Sequence, residues 1–115
     1  MSNKRSINIL GIQYVLHTEV KESEQPILSE YDGFTDTSTK DIYISQFIPD
    51  KRTLGNLQAY TSKIIRHELI HAFLFESGLD CNTDWARNEE IVDWIAIQFP
   101  KLKKLFSSID IEGDC

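Results

Sequence analysis

The chain has 115 residues, of which 41% are hydrophobic and 26% are charged, and this length and composition are typical of one soluble globular domain. The formal net charge is −6, from 18 acidic and 12 basic residues. This charge argues against nucleic acid as the main partner, because phosphate binding requires clustered Lys and Arg. No apolar stretch of the sequence approaches the roughly 20 residues needed to cross a bilayer, so a membrane protein is not expected.

The two cysteines, Cys81 and Cys115, have no CxxC spacing and no disulfide-rich context. A reducing, cytoplasmic compartment is the simpler interpretation. A basic pair near the start precedes a semi-apolar run, as in a signal peptide, but Asn8 and Gln13 interrupt that run and no small-residue cleavage site follows. We therefore expect a single domain over residues 1–115 that stays in the cytoplasm.

The first half of the chain is predicted to form strands. Residues 6–20 are rich in β-branched and aromatic residues, and their alternation shifts phase at Gly11, which indicates a bulge or tight turn. Residues 21–33 are polar and typical of a loop. A short strand, a turn and the strand KDIYIS over residues 40–45 follow, the last with its apolar side chains on one face.

The second half of the chain is predicted to be helical. One helical pattern covers residues 57–77. Another covers residues 85–99, with Thr83 or Asp84 as its N-cap and Pro100 as its end, before a short helical piece KLKKLFSSI. Strands followed by helices predict an α+β domain with a small antiparallel sheet.

Residues 67–71 read HELIH within a helix that is apolar on every face and is therefore predicted to be buried. Burying ionisable groups costs several kcal/mol unless they are paired or bind a cation. His67 and His71 stand one turn apart on the same face, and Glu68 lies about 100° around the helix. This is the geometry of HExxH zinc hydrolases, in which two neutral histidines bind the metal and the glutamate takes a proton from the metal-bound water.

HELIH also has less specific interpretations. By composition alone, an HExxH string occurs by chance in on the order of one chain in a few hundred. A buried histidine is also commonly just hydrogen-bonded to the backbone. Two histidines one turn apart on a buried helix, with a glutamate between them, favour a metal site. A metal-free adaptor with a satisfied polar core remains an alternative.

The third ligand is sought downstream, because a catalytic zinc usually has three protein ligands and one position for water. The extended pattern HExxHxxGxxH is excluded, since Leu74 and Ser77 occupy its Gly and His positions. The segment NEEIVDWIA carries Glu89 and Asp93 on one helix face, where the first carboxylate can bind metal and the second can accept the N–H of a ligating histidine. Glu90 competes for the ligand role, and acidic residues near a helix N-terminus also interact favourably with the macrodipole.

HELIH followed by NEEIVDWIA resembles the gluzincin group of zinc metallopeptidases, whose signature is HExxH followed by ExxxD on a later helix. The pattern is most similar to the minimal zincin domains encoded by phages and mobile elements, relatives of the ImmA/IrrE-like metallopeptidases. In those domains the third ligand opens a helix reading roughly ExxANxFA, and residues 89–96 fit this frame with Asp93 where Asn is usual. The strand KDIYIS resembles the edge strand that lines the zincin cleft, so the resemblance covers about residues 33–99.

The resemblance implies that His67, His71 and Glu89 bind Zn²⁺. Glu68 is then the general base, and Asp93 supports a ligating histidine. The implied fold is a small sheet packed on the active-site helix, with the third-ligand helix beside it. The transition-state donor is left open, and four residues are candidates for that role: Tyr31, Tyr43, His17 and Arg87.

The sequence therefore predicts a zinc-dependent metallopeptidase that hydrolyses a peptide bond in a specific protein partner. Large zinc peptidases build a two-lobed cleft and 115 residues provide one lobe, so efficient general proteolysis is not expected. By analogy with the mobile-element domains that the chain resembles, a repressor or other regulator would suit as the substrate. An extended substrate is expected to add a strand beside residues 41–46. The alternative is a catalytically silent, zinc-stabilised protein-binding module in which Cys81 or His17 supplies a fourth ligand. The oligomeric state is not predicted.

Overall fold

The computed structural model describes residues 3–48 and 56–113, so Cys115 lies outside the described residues. The described part contains one sheet and three helices: β1 Asn3–Ile9, β2 Ile12–Val20, β3 Gly33–Asp36, β4 Asp41–Ser45, α1 Leu57–Glu76, α2 Leu79–Asn82 and α3 Glu89–Ser107. The predicted α+β class is confirmed. Within the described ranges, no helix combines the length and the apolar character that crossing a membrane requires.

β1 and β2 form an antiparallel hairpin in which Ile9 pairs with Ile12. The two residues between them, Leu10 and Gly11, have φ angles of 51° and 90°. Positive φ at both positions matches the twist of the flanking strands in a two-residue hairpin turn. The phase shift at Gly11 is therefore a tight turn, and residues 6–20 belong to two strands.

The strand order is β1-β2-β4-β3, and β4 is parallel to β2 but antiparallel to β3. The sheet is thus mixed, and not wholly antiparallel as predicted. β4 lies between two strands, with Ile42 and Ile44 fully buried, so the prediction of a free edge at residues 41–46 is wrong. The edge strand on that side of the described sheet is β3.

The core lies between the sheet and α1. Tyr14 from β2 and Ile42 and Ile44 from β4 are buried together with Ile64 and Ala72 of α1. Alternate residues of a strand point to the same face, so neighbouring strands present a continuous apolar surface to the helix. This packing fixes α1 against the sheet and thereby orients the HELIH turn.

α3 runs without interruption from Glu89 to Ser107, so the prediction that Pro100 ends a helix is wrong. A proline inside a helix removes the N–H that would donate to the carbonyl four residues earlier, which here is that of Ala96. Arg66 on α1 donates its Nε–H to this carbonyl oxygen at 2.7 Å. A hydrogen bond from the neighbouring helix replaces the missing one, and α3 continues.

α3 also begins later than predicted. Asn88 is its N-cap, and the side-chain oxygen of Asn88 accepts the backbone N–H of Ile91 at 2.9 Å. Thr83 and Asp84, the predicted caps, lie instead in the connection between α2 and α3. The Asn88 cap makes Glu89 the first residue of the helix, which sets the position of its carboxylate.

Candidate metal centre

The candidate metal centre begins with two histidines on consecutive turns of α1. His67 and His71 share a face of the helix, and their Nε2 atoms are 3.1 Å apart. Both side chains are mostly buried. The helical period alone brings the two rings together, because residues i and i+4 are neighbours on a helix surface.

Glu89 reaches the same point from the start of α3. Its Oε2 lies 2.8 Å from His67 Nε2, and its Oε1 lies 3.1 Å from His71 Nε2. One donor atom from each of the three side chains lies within 4.8 Å of the other two. Both Glu89 and Glu90 are exposed, but Glu90, the competing candidate, lies outside this cluster.

The three side chains fit one zinc ion. A tetrahedral zinc with Zn–N distances of about 2.0–2.1 Å holds its ligand atoms about 3.3 Å apart, close to the separations of 2.8 and 3.1 Å observed here. Two imidazole nitrogens and one carboxylate oxygen are also a donor set of catalytic zinc sites. Partial burial acts to raise the pKa of Glu89, but the charges and hydrogen bonds of His71 and His67 outweigh it and lower that pKa, which favours the ionised form that binds a cation.

The hydrogen bonding of His67 also suits a cation. Its Nδ1 lies 3.0 Å from Asp93 Oδ1, and because an ionised carboxylate only accepts, Nδ1 carries the hydrogen. In the neutral imidazole, Nε2 then presents a lone pair close to Glu89 Oε2 and His71 Nε2. Lone pairs converging on one point repel one another unless a proton or a metal ion lies between them.

Asp93 lies one turn after Glu89 on α3, as the i, i+4 spacing predicts. Its Oδ1 also accepts a hydrogen bond from Lys63 Nζ at 3.0 Å. Partial burial acts to raise the pKa of Asp93, but the hydrogen bonds and charges of Lys63 and His67 outweigh it and lower that pKa. The carboxylate is therefore ionised and fixed in place, and it sets the tautomer and orientation of His67.

Glu68 is buried, with only 7% of its surface exposed. Thr35 on β3 donates its hydroxyl hydrogen to Glu68 Oε1 at 2.7 Å, whereas Glu68 Oε2 lies 4.0 Å from His67 Nε2. Burial raises the pKa of the Glu68 carboxyl, against the opposing effects of the Thr35 hydrogen bond and the two histidines. One carboxylate oxygen is thus fixed by β3, and the other lies near the histidine pair.

β3 approaches α1 closely at Gly33. A Cβ atom at this position would lie 2.9 Å from Glu68 Cγ and 3.0 Å from Ile64 Cγ2, which is closer than packed atoms tolerate. Gly33 and Thr35 stand two residues apart and so point to the same face of the strand. The missing side chain at Gly33 lets Thr35 reach the carboxylate.

A cleft of about 770 Å³ opens over the three donor atoms. Its walls come from β3, α1 and the start of α3, and they include the apolar side chains of Ile27, Phe34 and Phe75. Clefts of this size and mixed character bind small molecules or short peptide segments.

The candidate transition-state donors are distributed unevenly. Tyr31 lines the cleft and is exposed. His17 lies outside the cleft wall, with its Nε2 2.8 Å from Asp41 Oδ1 and its ring stacked on Tyr43 at 4.6 Å. Arg87 donates to a main-chain carbonyl of α2 at 2.6 Å. Of the four, the structure brings Tyr31 alone to the cleft.

A fourth protein ligand does not join the cluster within the described residues. Cys81 is exposed with a free thiol, and His17 pairs with Asp41. The place that a fourth ligand would occupy therefore faces the cleft.

Three residues at the site were not anticipated from the sequence. Lys63 lies four residues before His67, so helical spacing is a signal that could have indicated it. Thr35 and Gly33 lie on a different element, about thirty residues away. Their roles depend on the packing of β3 against α1, for which the sequence carries no local signal.

Comparison of the chain with protein-family profiles, with curated proteins and with solved structures found no match. The functional interpretation therefore depends on the geometry of the site and on the motif resemblance.

Proposed function

We propose that the protein is a zinc-dependent metallopeptidase of the HExxH…ExxxD type that hydrolyses a peptide bond in one protein partner. The observation that carries this proposal is the convergence of His67, His71 and Glu89 beside Glu68, a buried carboxylate that metal binding alone does not require. Structural zinc sites are closed by four protein ligands, whereas the described residues supply three. This difference favours a catalytic site over a silent, zinc-stabilised binding module.

Each residue has a role in the proposed reaction. His67, His71 and Glu89 would hold Zn²⁺, which supplies Lewis-acid polarisation of a carbonyl and lowers the pKa of a water molecule. Glu68 accepts the proton of the attacking water at Oε2, the oxygen that Thr35 leaves free, and then donates it to the departing amine. The Thr35 hydrogen bond holds the carboxylate in position for both transfers.

β3 offers a place for the substrate. It is an edge strand of the described sheet and lines the cleft, so an extended peptide could pair with it and bring a carbonyl over the three ligands. The nearby side chains of Phe34 and Phe75 suit an apolar residue of the peptide.

Metal content tests the site. We expect about one zinc per chain in the purified parent and in Glu68→Gln, and loss of zinc in Glu89→Ala, by elemental mass spectrometry. Glu90→Ala is the matched control, because Glu90 is adjacent to Glu89 and, like it, exposed, but lies outside the cluster. A parent that refolds without metal, with a melting temperature that zinc leaves unchanged, contradicts the proposal.

Hydrolysis is tested by incubating zinc-loaded parent and zinc-loaded Glu68→Gln with an extract of cells that naturally produce the protein. We expect a small set of new protein N-termini with the parent and none of that set with Glu68→Gln, measured by mass spectrometry. If both proteins are folded and carry zinc but generate the same N-termini, the silent binding module is the better description.

A further inference from the structure

One face of α3 is apolar and exposed. We call it the outer face and define it by seven large side chains, the last of which lies just beyond the helix end: Ile91, Trp94, Phe99, Leu102, Leu105, Phe106 and Ile109. At 100° per residue these positions fall within an arc of about 140° around the helix axis. A contiguous exposed apolar patch of this kind marks an interaction site.

The inner side of α3 is built differently. Val92 packs against Leu74 of α1, and Ala96 is buried. Farther along α3, the positions on this same inner side are occupied by the polar residues Lys103 and Ser107. A surface helix ordinarily directs its large apolar side chains toward its own core. The second half of α3 instead carries them on the outer face, so it is not built to pack on this domain.

The spacing along the outer face is that of a helix–helix seam. Three outer-face residues, Ile91, Leu102 and Leu105, lie in one line with the half-buried Ile95 and Gln98, which fall within the same arc. These five positions follow one another at intervals of four, three, four and three residues, which is the a/d spacing of a heptad. Four of these five positions are Ile or Leu, and a single polar residue in such a seam restricts its register. The pattern indicates that the partner of the outer face is another α-helix.

The exposed area fits a second copy of this chain. With about 200 Å² for a fully exposed large side chain, the exposed fractions of the seven outer-face residues amount to roughly 700 Å². A standard interface buries about 800 Å² on each partner. A two-fold symmetric pair uses the same patch twice, so the outer face comes close to supplying a complete interface by itself.

We propose that the protein forms a symmetric homodimer in which the outer faces of two α3 helices pack antiparallel against each other. This orientation also places the opposite ends of the helix macrodipoles side by side. Glu89 and Asp93 point toward α1 rather than along the outer face, so the cleft stays open in the dimer. The homodimer does not depend on the proposed metal or on hydrolysis.

Sedimentation velocity tests the homodimer over about 1 to about 100 µM, because interfaces of this size have affinities that extend into the micromolar range. We expect the mass to approach twice 13.3 kDa at the upper end. Leu105→Glu should weaken association about tenfold or more, since it puts an unpaired charge at one of the seam positions. Leu105 is 60% exposed in the single chain, so the change does not touch the core.

Ile97→Glu is the matched control, because Ile97 is another exposed apolar residue of α3 but lies outside the outer face. It should retain the association of the parent. A parent that sediments as a 13.3 kDa monomer throughout, or equal weakening by both variants, overturns the proposal. A different, co-purified protein bound to the outer face of the parent would also overturn the proposal.

Tryptophan emission gives a second measurement that does not require the Leu105 variant to fold. In Trp85→Phe, Trp94 is the remaining tryptophan of the sequence, and it belongs to the outer face. Its emission should shift to longer wavelength as dilution dissociates the dimer and exposes the indole. Emission that stays constant across dissociation places the interface elsewhere and overturns the proposal.

Discussion

At the scale of the single residue, Glu68 shows what the proposed chemistry demands of its surroundings. A buried polar group without a hydrogen-bond partner costs about 1–3 kcal/mol, and a charged one costs more. Thr35 supplies a hydrogen bond to Glu68 Oε1, and Gly33 leaves room for the carboxylate beside β3. The edge strand is therefore both a wall of the cleft and a support for the proposed base.

Thr35→Val keeps the shape of the side chain but removes its hydroxyl. We expect it to lower the free energy of unfolding by about 1–3 kcal/mol, because a buried carboxylate loses its donor. Urea denaturation of the metal-free protein measures the change. Thr35→Ser retains the hydroxyl and should lie closer to the parent. Equal losses in the two variants would mean that the methyl group, and not the hydrogen bond, stabilises this contact.

Asp93 acts on the metal centre through His67. We expect Asp93→Ala to weaken zinc binding by about 10–100-fold without removing a ligand, because His67 loses the acceptor that fixes its ring and tautomer. Competition against a chromophoric chelator measures the affinity. Glu90→Ala, which changes an exposed carboxylate on the same helix, should leave the affinity unchanged. Equal affinities of parent and Asp93→Ala would contradict this role.

At the scale of the secondary-structure element, α3 passes through Pro100 because Arg66 donates to the Ala96 carbonyl. We expect Arg66→Met to lower the free energy of unfolding by about 1.5–3 kcal/mol, the contribution of a hydrogen bond from a charged donor. In the Pro100→Ala background, the restored backbone N–H can reach the same carbonyl, so the Arg66 change should cost less. A double-mutant cycle by urea denaturation measures the coupling, and strictly additive effects would contradict it.

The two helices also show how far sequence reasoning extends. The pairing of His67 with His71, and the alignment of Glu89 with Asp93, follow from the helical period and could be predicted from local sequence. The path of α3 through Pro100 could not, because the compensating hydrogen bond comes from another helix. The helix start was also predicted wrongly, because Thr83 and Asp84 can cap a helix as readily as Asn88, which is the observed cap.

The sheet shows the limit more clearly. Local alternation indicated the strands and the turn at Gly11, but strand order depends on contacts between distant segments. β4 was therefore mistaken for the edge strand, although Ile42 and Ile44 are buried at the centre of the sheet. The register that brings Thr35 to Glu68 is non-local for the same reason. The fold class and the candidate metal ligands could be predicted from the sequence, whereas the contact of Thr35 with Glu68, the proposed base, could not.

At the scale of the whole molecule, Glu76 joins three parts of the fold. It lies at the end of α1 and accepts hydrogen bonds from Lys40 Nζ at 2.7 Å and from the Tyr14 hydroxyl on β2 at 2.6 Å. The hydrogen bonds from Lys40 and Tyr14 hold the pKa of Glu76 below its usual value. A carboxyl group whose pKa is lower in the folded state stabilises the fold above its unfolded pKa of 4.5, and this contribution is lost as pH falls through the folded-state pKa.

We therefore expect the free energy of unfolding to decline as pH falls below about 4.5. Glu76→Gln should make this decline shallower while lowering stability at neutral pH, because the neutral amide gains nothing from ionisation. Urea denaturation between about pH 3 and about pH 7 measures both effects. Glu22→Gln, at an exposed position, is the control for net charge. Parallel pH profiles of the parent and Glu76→Gln would contradict the assignment.

The stability of the whole molecule also reports on the metal, because an ion that binds only the folded state raises the free energy of unfolding. If His67, His71 and Glu89 hold Zn²⁺, free zinc at about 100 times Kd adds about 2.7 kcal/mol, or about 10 °C in Tm for a domain of this size. A chelator should reverse the shift, and Glu89→Ala should lack it. Protein concentration is kept constant, because association into a dimer also stabilises the folded state and raises Tm. A zinc shift of equal size in Glu89→Ala would place the bound metal elsewhere, and no shift in the parent would leave HELIH as a hydrogen-bonded polar cluster.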